Sequence, residues 1–222
     1  GVYDTFDGDG NFLVAYSDNP KGEELIKELG TRFEVMGTNI KKFCTGFPIQ
    51  SPAEGLLILI NKHNLKPSDI KSITARLPES GAHTVNDREM PDINLQYLFA
   101  VALLDGRISF EAAHSVERMT EPDVLELRAK MTLIGDPELT HADPEWQSIV
   151  EITTNDGRDL KEHVVSFKGK ADNPLTTEEV AEKALDLMEP VLGKPQSDEL
   201  IDAINNLETL DSVRKLRPLL AV

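Results

Sequence analysis

The sequence predicts an α+β fold, because helical segments at both ends flank a middle part, residues 31–170, in which strand and helix patterns are mixed. Alternating apolar residues over Ile70–Leu77 indicate a half-exposed strand. The turn Asn155-Asp-Gly157 between two further strand patterns indicates a hairpin, because these residue types tolerate positive φ. A helix pattern that opens at Asp92 or Asn94 is apolar almost all round, which is typical of the centre of a domain.

The elements before this centre follow from breakers and alternation. Gly1–Gly10 has the glycine and aspartate content of a loop, and because the chain begins without methionine, we expect that it is cut from a larger protein. Lys21–Leu29 is predicted as a short helix that ends at Gly30. Phe33–Ile40 is predicted as a strand.

Caps and turn residues place the remaining elements. Ser51 is predicted to cap a helix, with Pro52 in its first turn and Glu54 completing a capping box. Pro78–Pro91 is predicted as a polar loop, and Thr176-Thr-Glu-Glu179 as the capping box of a helix through Met188. The other predicted elements are helices over Ser109–Met119, Thr120–Met131 and Ser197–Leu207, strands over Lys130–Ile134, Gln147–Thr154 and Leu160–Phe167, and a short amphipathic segment over Val213–Leu219.

Composition excludes several classes of protein. With 39 acidic and 23 basic residues among 222, the net charge is −16, which disfavours binding to nucleic acid. An apolar fraction of 40% is enough for a packed core, and Cys44 alone can form neither a disulfide framework nor a cysteine zinc cluster. Because no apolar run approaches the roughly 20 residues of a membrane span, we expect a soluble, cytoplasmic protein without membrane partners.

The most informative segment is the lysine loop, Lys41–Gln50. The sequence contains no glycine-rich phosphate loop, no Gly-x-Ser-x-Gly elbow and no paired histidines at metal-ligand spacing. The lysine loop carries Lys41 and Lys42 and leads into the predicted Ser51 helix, whose free N–H groups favour anions. The two lysines either form a carboxylate site with that helix end or are ordinary solvated lysines.

A few other residues are candidates for chemistry, each with a structural alternative. Tyr97 lies in the apolar helix, where its hydroxyl either has a structural partner or faces a cleft as a donor. Asp87 and Arg88 either pair with each other or hold a substrate carboxylate. His114 is a candidate for acid–base chemistry, but such a histidine more often serves packing.

Three ordered stretches resemble the MmgE/PrpD family, which includes 2-methylcitrate dehydratases, cis-aconitate decarboxylases and iminodisuccinate epimerases. The first stretch is Lys41-Lys-Phe-Cys-Thr-Gly-Phe-Pro-Ile-Gln-Ser-Pro52, which resembles the lysine loop of that family. The second is Asn86-Asp-Arg-Glu-Met-Pro-Asp-Ile-Asn-Leu-Gln-Tyr-Leu-Phe-Ala-Val-Ala-Leu-Leu-Asp-Gly106. The third is Asp156-Gly157 followed by Lys168-Gly-Lys-Ala-Asp-Asn-Pro-Leu-Thr-Thr-Glu-Glu-Val180.

The resemblance implies a domain organisation and a reaction class. Residues 1–30 would end an N-terminal helical domain, residues 31–172 would form a smaller, α/β-sandwich-like domain, and the helices of residues 173–222 would return to the helical domain. It also implies a 2-methylcitrate dehydratase-like lyase or isomerase that needs no cofactor or metal. Such an enzyme abstracts a proton next to a carboxylate of a small di- or tricarboxylate.

The resemblance assigns roles to individual residues. Lys41 would hold a substrate carboxylate or stabilise the enolate-like charge, with Lys42 beside it, and Tyr97 would line the same cleft. Arg88 and Asp87 would form the charged pair before the Tyr97 helix.

The sequence departs from the family at one point and leaves an alternative open. Gly46 and Gln50 stand where the family often has a histidine, and a glutamine can bind a carboxylate but cannot act as a general base. The expected partners are the polycarboxylate substrate, a missing N-terminal helical half or companion chain, and a second copy in a homodimer. The alternative is a non-catalytic carboxylate-binding or regulatory subunit that lacks the base.

Overall fold

The computed structural model describes residues 5–221, and the predicted loop over Gly1–Gly10 therefore lies partly outside the described residues. The chain divides into two compact units between Thr38 and Asn39. From Thr5 to Gly10 the backbone forms turns and bends, as predicted for a loop. The domain boundaries predicted after residues 30 and 172 stay predictions.

The first unit contains short helical segments. Helix α1, Phe12–Tyr16, begins at Asn11, whose side chain accepts the Leu13 N–H at 2.8 Å. Within the predicted helix Lys21–Leu29, only a 3₁₀ turn at Gly22–Leu25 forms. The prediction of a strand over Phe33–Ile40 is wrong, since a 3₁₀ turn occupies Glu34–Gly37. A strand needs a hydrogen-bonded neighbour, and the described residues of this unit contain none for it to pair with.

The second unit contains a four-stranded mixed sheet and helices, which confirms the α+β fold. The strands are β1 (Ile70–Pro78), β2 (Met131–Asp136), β3 (Ser148–Thr154) and β4 (Asp159–Val164). The helices are α2 (Gln50–His63), α3 (Glu79–Val85), α4 (Leu95–Asp105), α5 (Phe110–His114), α6 (Pro122–Arg128), α7 (Pro137–Thr140), α8 (Thr177–Leu192) and α9 (Lys194–Asn205). A 3₁₀ segment over Val213–Leu220 follows.

The sheet has the order β2-β1-β3-β4, with β1 parallel to β2 and the other pairs antiparallel. Ala75 pairs with Val150 and Ile73 with Ile152, and all four side chains are buried. Helix α2 packs on this apolar face at β3 and β4. Gly55 permits the close approach, because a Cβ there would lie 3.1 Å from Val150 and 3.2 Å from Val164. This packing fixes the position of the residues that α2 carries.

Helix α4 lies at the centre of the second unit, as its sequence predicts. Asn94 caps it by accepting the Tyr97 N–H at 2.9 Å, and Gly106 ends it at φ +70°. Every residue from Leu95 to Leu103 is buried. The predicted hairpin is also confirmed, with Gly157 at φ +85° between β3 and β4.

Two further local predictions are wrong. The predicted polar loop Pro78–Pro91 contains helix α3, because Gly81 lets the backbone pack against Trp146 and Pro48, which lie 3.3 Å and 3.4 Å from where its Cβ would be. Ser51 does not cap α2: it lies inside the helix, buried, and its hydroxyl pairs with that of Ser148 at 2.7 Å.

Two hydroxyl residues at the C-terminal helices behave differently. Ser197 lies inside α9 and donates to the Gly193 carbonyl at 2.8 Å, so its predicted role as a cap is wrong. The Thr176 capping box of α8 is confirmed, because the Thr176 hydroxyl accepts the Glu179 N–H and the Glu179 carboxylate accepts the Thr176 N–H.

Across residues 5–221, none of the helices has the length and apolar character needed to traverse a lipid bilayer.

Candidate functional site

The lysine loop is folded back onto the first residue of α2. The buried Gln50 amide accepts the Phe43 N–H and donates to the Phe43 carbonyl, both at 3.0 Å, and donates to the Thr45 hydroxyl at 3.0 Å. The sequence predicts Gln50 as a substrate-binding residue. In the structure its amide fixes the shape of the lysine loop, and a contact with substrate stays a prediction.

The residue just before the lysine loop, Ile40, is hydrogen-bonded to the segment that follows β4. The Ile40 N–H donates to the Gly169 carbonyl at 2.7 Å. Gly169 adopts φ +97°, and a Cβ there would lie 1.9 Å from the Ile40 carbonyl oxygen. On the other side, the Lys183 ammonium of α8 donates to the Lys41 carbonyl at 2.5 Å. These contacts hold the backbone from which both lysines project.

Lys41 and Lys42 have different surroundings. The Lys41 ammonium donates to the Thr45 carbonyl at 3.1 Å, inside the lysine loop. The Lys42 side chain lines a large cleft, where its ammonium lies 3.4 Å from the Glu179 carboxylate. The predicted anion-binding role of Lys41 stays a prediction, while the geometry brings Lys42 into the cleft.

This cleft, which we call the cationic cleft, has a volume of about 820 Å³ and lies among α2, the lysine loop, the segment after α4, the segment after β4, and α8. Five cationic side chains line it, and four carboxyl groups accompany them. The cations are Lys42, Lys62, Arg107, Lys168 and Lys183, and the carboxyl groups are Glu54, Glu179, Glu182 and Asp186. A chain with a net charge of −16 therefore concentrates cations at one cavity.

Glu179 bridges two of these cations. Its carboxylate lies 3.4 Å from the Lys42 ammonium and 3.6 Å from the Lys168 ammonium. The hydrogen bond from the Thr176 N–H, with the charges of the two lysines, holds the pKa of Glu179 below its ordinary value. Glu179 is therefore an ionised carboxylate between two lysines, the arrangement that a substrate carboxylate would also require.

Glu54 is the second carboxyl group that contacts this cluster. It is half-buried on α2, and its Oε2 accepts the Lys168 N–H at 2.6 Å. Burial raises the pKa of Glu54, against the opposing effects of that hydrogen bond and of the Lys42 and Lys168 charges. The predicted capping box with Ser51 is therefore wrong, because the Glu54 carboxyl bonds across to the segment after β4.

Tyr97 is not among the residues that line the cationic cleft. It is fully buried in α4, and its hydroxyl donates to the Ala112 carbonyl at 2.5 Å. Burial raises the pKa of this hydroxyl. Of the two alternatives for Tyr97, the structural partner is the one observed, and a catalytic role stays a prediction.

Asp87 and Arg88 also lie outside the cationic cleft, and their side chains bond to other residues. The Arg128 guanidinium donates to the Asp87 carboxylate at 2.5 Å. Arg88 donates to the carbonyls of Thr84 at 2.8 Å and His83 at 3.0 Å, and so terminates α3. The structure therefore brings Lys42 together with Glu54 and separates both from this pair, whose substrate-binding role stays a prediction.

Sequence reasoning missed most of the cleft. Glu54 had a detectable signal, since it is a carboxyl group within the otherwise apolar run Ala53–Ile60 on a helix whose face is buried. Lys168 begins the third stretch that resembles the family, but nothing in that stretch gives it a role. Lys183 had no signal, because ordinary surface lysines have the same local sequence. Within residues 5–221 no three or more His, Cys, Asp or Glu side chains are grouped to hold a metal ion.

Comparison with known proteins gives a consistent family. The family model for the MmgE/PrpD C-terminal domain matches residues 43–209. The human cis-aconitate decarboxylase is 26% identical over 228 aligned positions, which cover 99% of this chain and 47% of that protein. The mouse cis-aconitate decarboxylase is 29% identical over 163 positions, covering 70% of this chain and 33% of that protein.

A fungal relative adds a second named activity. The 2-methylcitrate dehydratase-like protein oryR of Aspergillus oryzae is 30% identical over 161 positions, covering 65% of this chain and 32% of that protein. The chain thus spans about half the length, or less, of the curated relatives that it matches.

Proposed function

Because the chain belongs to the MmgE/PrpD family, we propose that its cationic cleft is a carboxylate-binding site of a lyase or isomerase. The proposed substrates are small di- or tricarboxylates, and the proposed reaction is 2-methylcitrate dehydratase-like, starting with proton abstraction next to a carboxylate. Support for the substrate class comes from the names of the relatives, a cis-aconitate decarboxylase and a 2-methylcitrate dehydratase-like protein. No cofactor is part of the proposed reaction.

One observation carries the proposal: the cleft gathers five cationic side chains in a chain with an excess of acidic residues. Lys42 and Lys168 already hold one carboxylate, that of Glu179, at 3.4 Å and 3.6 Å. Lys62 and Arg107 are exposed, and Arg107 lies 3.8 Å from Asp186. A substrate with two or three carboxylates can therefore bind several of these cations at once.

The same charges suit the proposed reaction. Removing a proton from a carbon next to a carboxylate moves negative charge onto the carboxylate oxygens. Lysine ammonium groups fixed beside those oxygens stabilise the transition state, in which this charge develops, more than they stabilise the bound substrate before reaction. This difference is what lowers the barrier.

Partners belong to the same proposal. Helix α8 presents Val180, Leu187 and Val191 at its surface, with Val191 60% exposed. Apolar side chains of this kind favour contact with further protein. We propose a homodimer, or a companion chain or N-terminal helical half, as what covers them.

Calorimetric titration of cis-aconitate and 2-methylcitrate into the 222-residue chain tests the proposal. Lys42→Ala should weaken binding about 10-fold, equivalent to about 1.4 kcal/mol, because one ammonium contact to a carboxylate is lost. Lys71→Ala is the matched control: Lys71 is exposed on β1, and its removal should leave the affinity unchanged. Binding should also weaken as the salt concentration rises.

The outcome separates two functions. Binding that depends on Lys42, together with conversion of either compound followed by NMR, supports the lyase or isomerase. Binding that depends on Lys42 without conversion supports the non-catalytic carboxylate-binding subunit. Equal affinities for the wild type and Lys42→Ala, or no binding by the wild type, would contradict the cleft as the carboxylate site.

A further inference from the structure

The two carboxyl groups that share the lysine cluster have opposite environments. Glu179 accepts a hydrogen bond from the Thr176 N–H and lies between the Lys42 and Lys168 ammonium groups. These contacts favour its ionised form. Glu54 receives one main-chain N–H, from Lys168, and is half-buried on α2. Pairs of titratable groups whose environments shift their pKa values in opposite directions are typical of acid–base sites.

One oxygen of the Glu54 carboxyl accepts a hydrogen bond. Within residues 5–221, its hydrogen bond is the one that Oε2 accepts from the Lys168 N–H, so Oε1 is left for a ligand. The bond to Lys168 also fixes the carboxyl group in place, because it joins α2 to the segment after β4. A fixed carboxyl group with one free oxygen can exchange a proton with a bound molecule.

The other ionisable groups of the cleft have partners of their own or lie at its rim. Lys183 donates to the Lys41 carbonyl, and the Lys168 ammonium donates to the Pro174 carbonyl at 3.3 Å. Asp186 accepts the Phe110 N–H at 2.7 Å and lies near Arg107. Lys62 and Glu182 are exposed.

From this geometry we propose that Glu54 is the proton-transfer residue of the cationic cleft, a deeper form of the proposed function on which it rests. Its Oε1 removes the proton from the carbon next to a substrate carboxylate, while Lys42 and Lys168 hold that carboxylate. Lys42 and Lys168 therefore have to turn from Glu179 towards the substrate when it binds. Burial, which raises the pKa of Glu54, strengthens it as a base.

The atoms of a dehydration balance with this one residue. The ionised Glu54 carboxylate takes the proton, and the electron pair of the broken C–H bond forms the new C=C bond. The C–O bond of the neighbouring carbon breaks, and the hydroxide that leaves takes the proton back from Glu54 to give water. Glu54 returns to its ionised form, so no co-reactant is needed.

Hydrogen–deuterium exchange tests the assignment. The probes are 2-methylcitrate and cis-aconitate in D₂O with the 222-residue chain, and proton NMR follows the loss of the signal from the carbon next to the carboxylate. Glu54→Gln keeps an oxygen for the Lys168 N–H, so the probe affinity should stay within about threefold of wild type. Exchange should slow by about 100-fold or more, because the base is removed.

A control variant and a second measurement accompany this experiment. Glu126→Gln removes an exposed carboxylate of α6 that pairs with Lys130, and it should change neither the affinity nor the exchange rate. If Glu54→Gln does not fold, ¹³C NMR of the labelled glutamate carboxyls in the wild type replaces it. The Glu54 signal should then titrate above the ordinary value of 4.5, together with the exchange rate, and shift when 2-methylcitrate is added.

A failure of the Glu54 assignment and a failure of the proposed carboxylate site give different results. Exchange by Glu54→Gln within about threefold of the wild-type rate, or a wild type that binds the probes without exchanging a proton, would overturn the role of Glu54 and leave the binding site standing. A wild type that does not bind the probes would overturn the proposed function itself.

Discussion

The side-chain amide of Gln50 pairs with both main-chain polar groups of Phe43, at 3.0 Å each. This pairing closes the lysine loop over its own helix, since Phe43 and Gln50 are both buried. It also explains why a glutamine suits this position: its amide offers the acceptor for the Phe43 N–H and the donors for the Phe43 carbonyl and the Thr45 hydroxyl. Lys42 projects from the loop that this amide holds.

Gln50→Ala should therefore destabilise the protein strongly. Three hydrogen bonds are lost, and the buried N–H and carbonyl of Phe43 are left without partners, at a cost of about 2–4 kcal/mol. Urea denaturation measures the change. Gln196→Ala is the control, because Gln196 bonds to the carbonyls of Leu219 and Ala221 near the C-terminus and should cost less than about 1 kcal/mol. Equal losses for the two variants would contradict the role of Gln50.

Gly169→Ala should be far more costly than Gly157→Ala. Both glycines have positive φ, +97° and +85°, which costs an alanine about 1–2 kcal/mol. A Cβ at Gly157 meets open space, whereas one at Gly169 lies 1.9 Å from the Ile40 carbonyl oxygen and forces the lysine loop away. We expect Gly169→Ala to lose at least about 2 kcal/mol more than Gly157→Ala and to weaken carboxylate binding. Thermal unfolding of the two variants checks the order.

Tyr97→Phe separates a structural role from a catalytic one. The substitution removes the donor to the buried Ala112 carbonyl and should cost about 1–2 kcal/mol in the free energy of unfolding. Because Tyr97 does not line the cationic cleft, the affinity for cis-aconitate should not change. A large loss of turnover or exchange at a temperature where the variant stays folded would instead support the catalytic role that the family resemblance implies.

Glu54 and Glu179 should affect stability at opposite ends of the pH range. The pKa of Glu179 is lowered from 4.5, so its ionised form stabilises the fold above that value, and the stabilisation is lost as the pH falls through the lowered pKa. The pKa of Glu54 is raised from 4.5, so its neutral form is favoured in the fold, and this advantage is lost as the pH rises through the raised pKa.

Urea denaturation from about pH 2.5 to pH 8 measures both effects, because the lowered pKa of Glu179 lies below 4.5. The destabilisation caused by Glu179→Gln should be largest near neutral pH and shrink on acidification. Relative to the wild type, Glu54→Gln should gain stability as the pH rises. Parallel pH profiles for the two variants would show that the two carboxyl groups do not differ in environment.

Local sequence was sufficient where a local interaction decides the structure. The strands and the hairpin at Gly157 follow from alternation and turn chemistry, and the Thr176 capping box closes within four residues. The predictions of helix caps were wrong where the side chain bonds to a residue far away in the sequence. Ser51 bonds to Ser148, which lies 97 residues away, and Glu54 bonds to Lys168, which lies 114 residues away.

The candidate site was less predictable than the fold for the same reason. Lys42 belongs to the one segment that the sequence marks as an anion site. Lys168, Lys183 and Arg107 reach the cleft because α8 and the segments after β4 and α4 fold around α2, which no local pattern encodes. Helix α3 was missed for a similar reason. In the sequence, Gly81 is typical of a loop, whereas in the structure Trp146 packs against it.

A crystal structure of the 222-residue chain with cis-aconitate would locate the carboxylate site itself. We predict density for the ligand in the cationic cleft, with one carboxylate within hydrogen-bonding distance of the Lys42 and Lys168 ammonium groups and a neighbouring carbon facing Glu54 Oε1. Ligand bound elsewhere, with the cleft lysines still paired to Glu179, would show that the cationic cleft is not the carboxylate site.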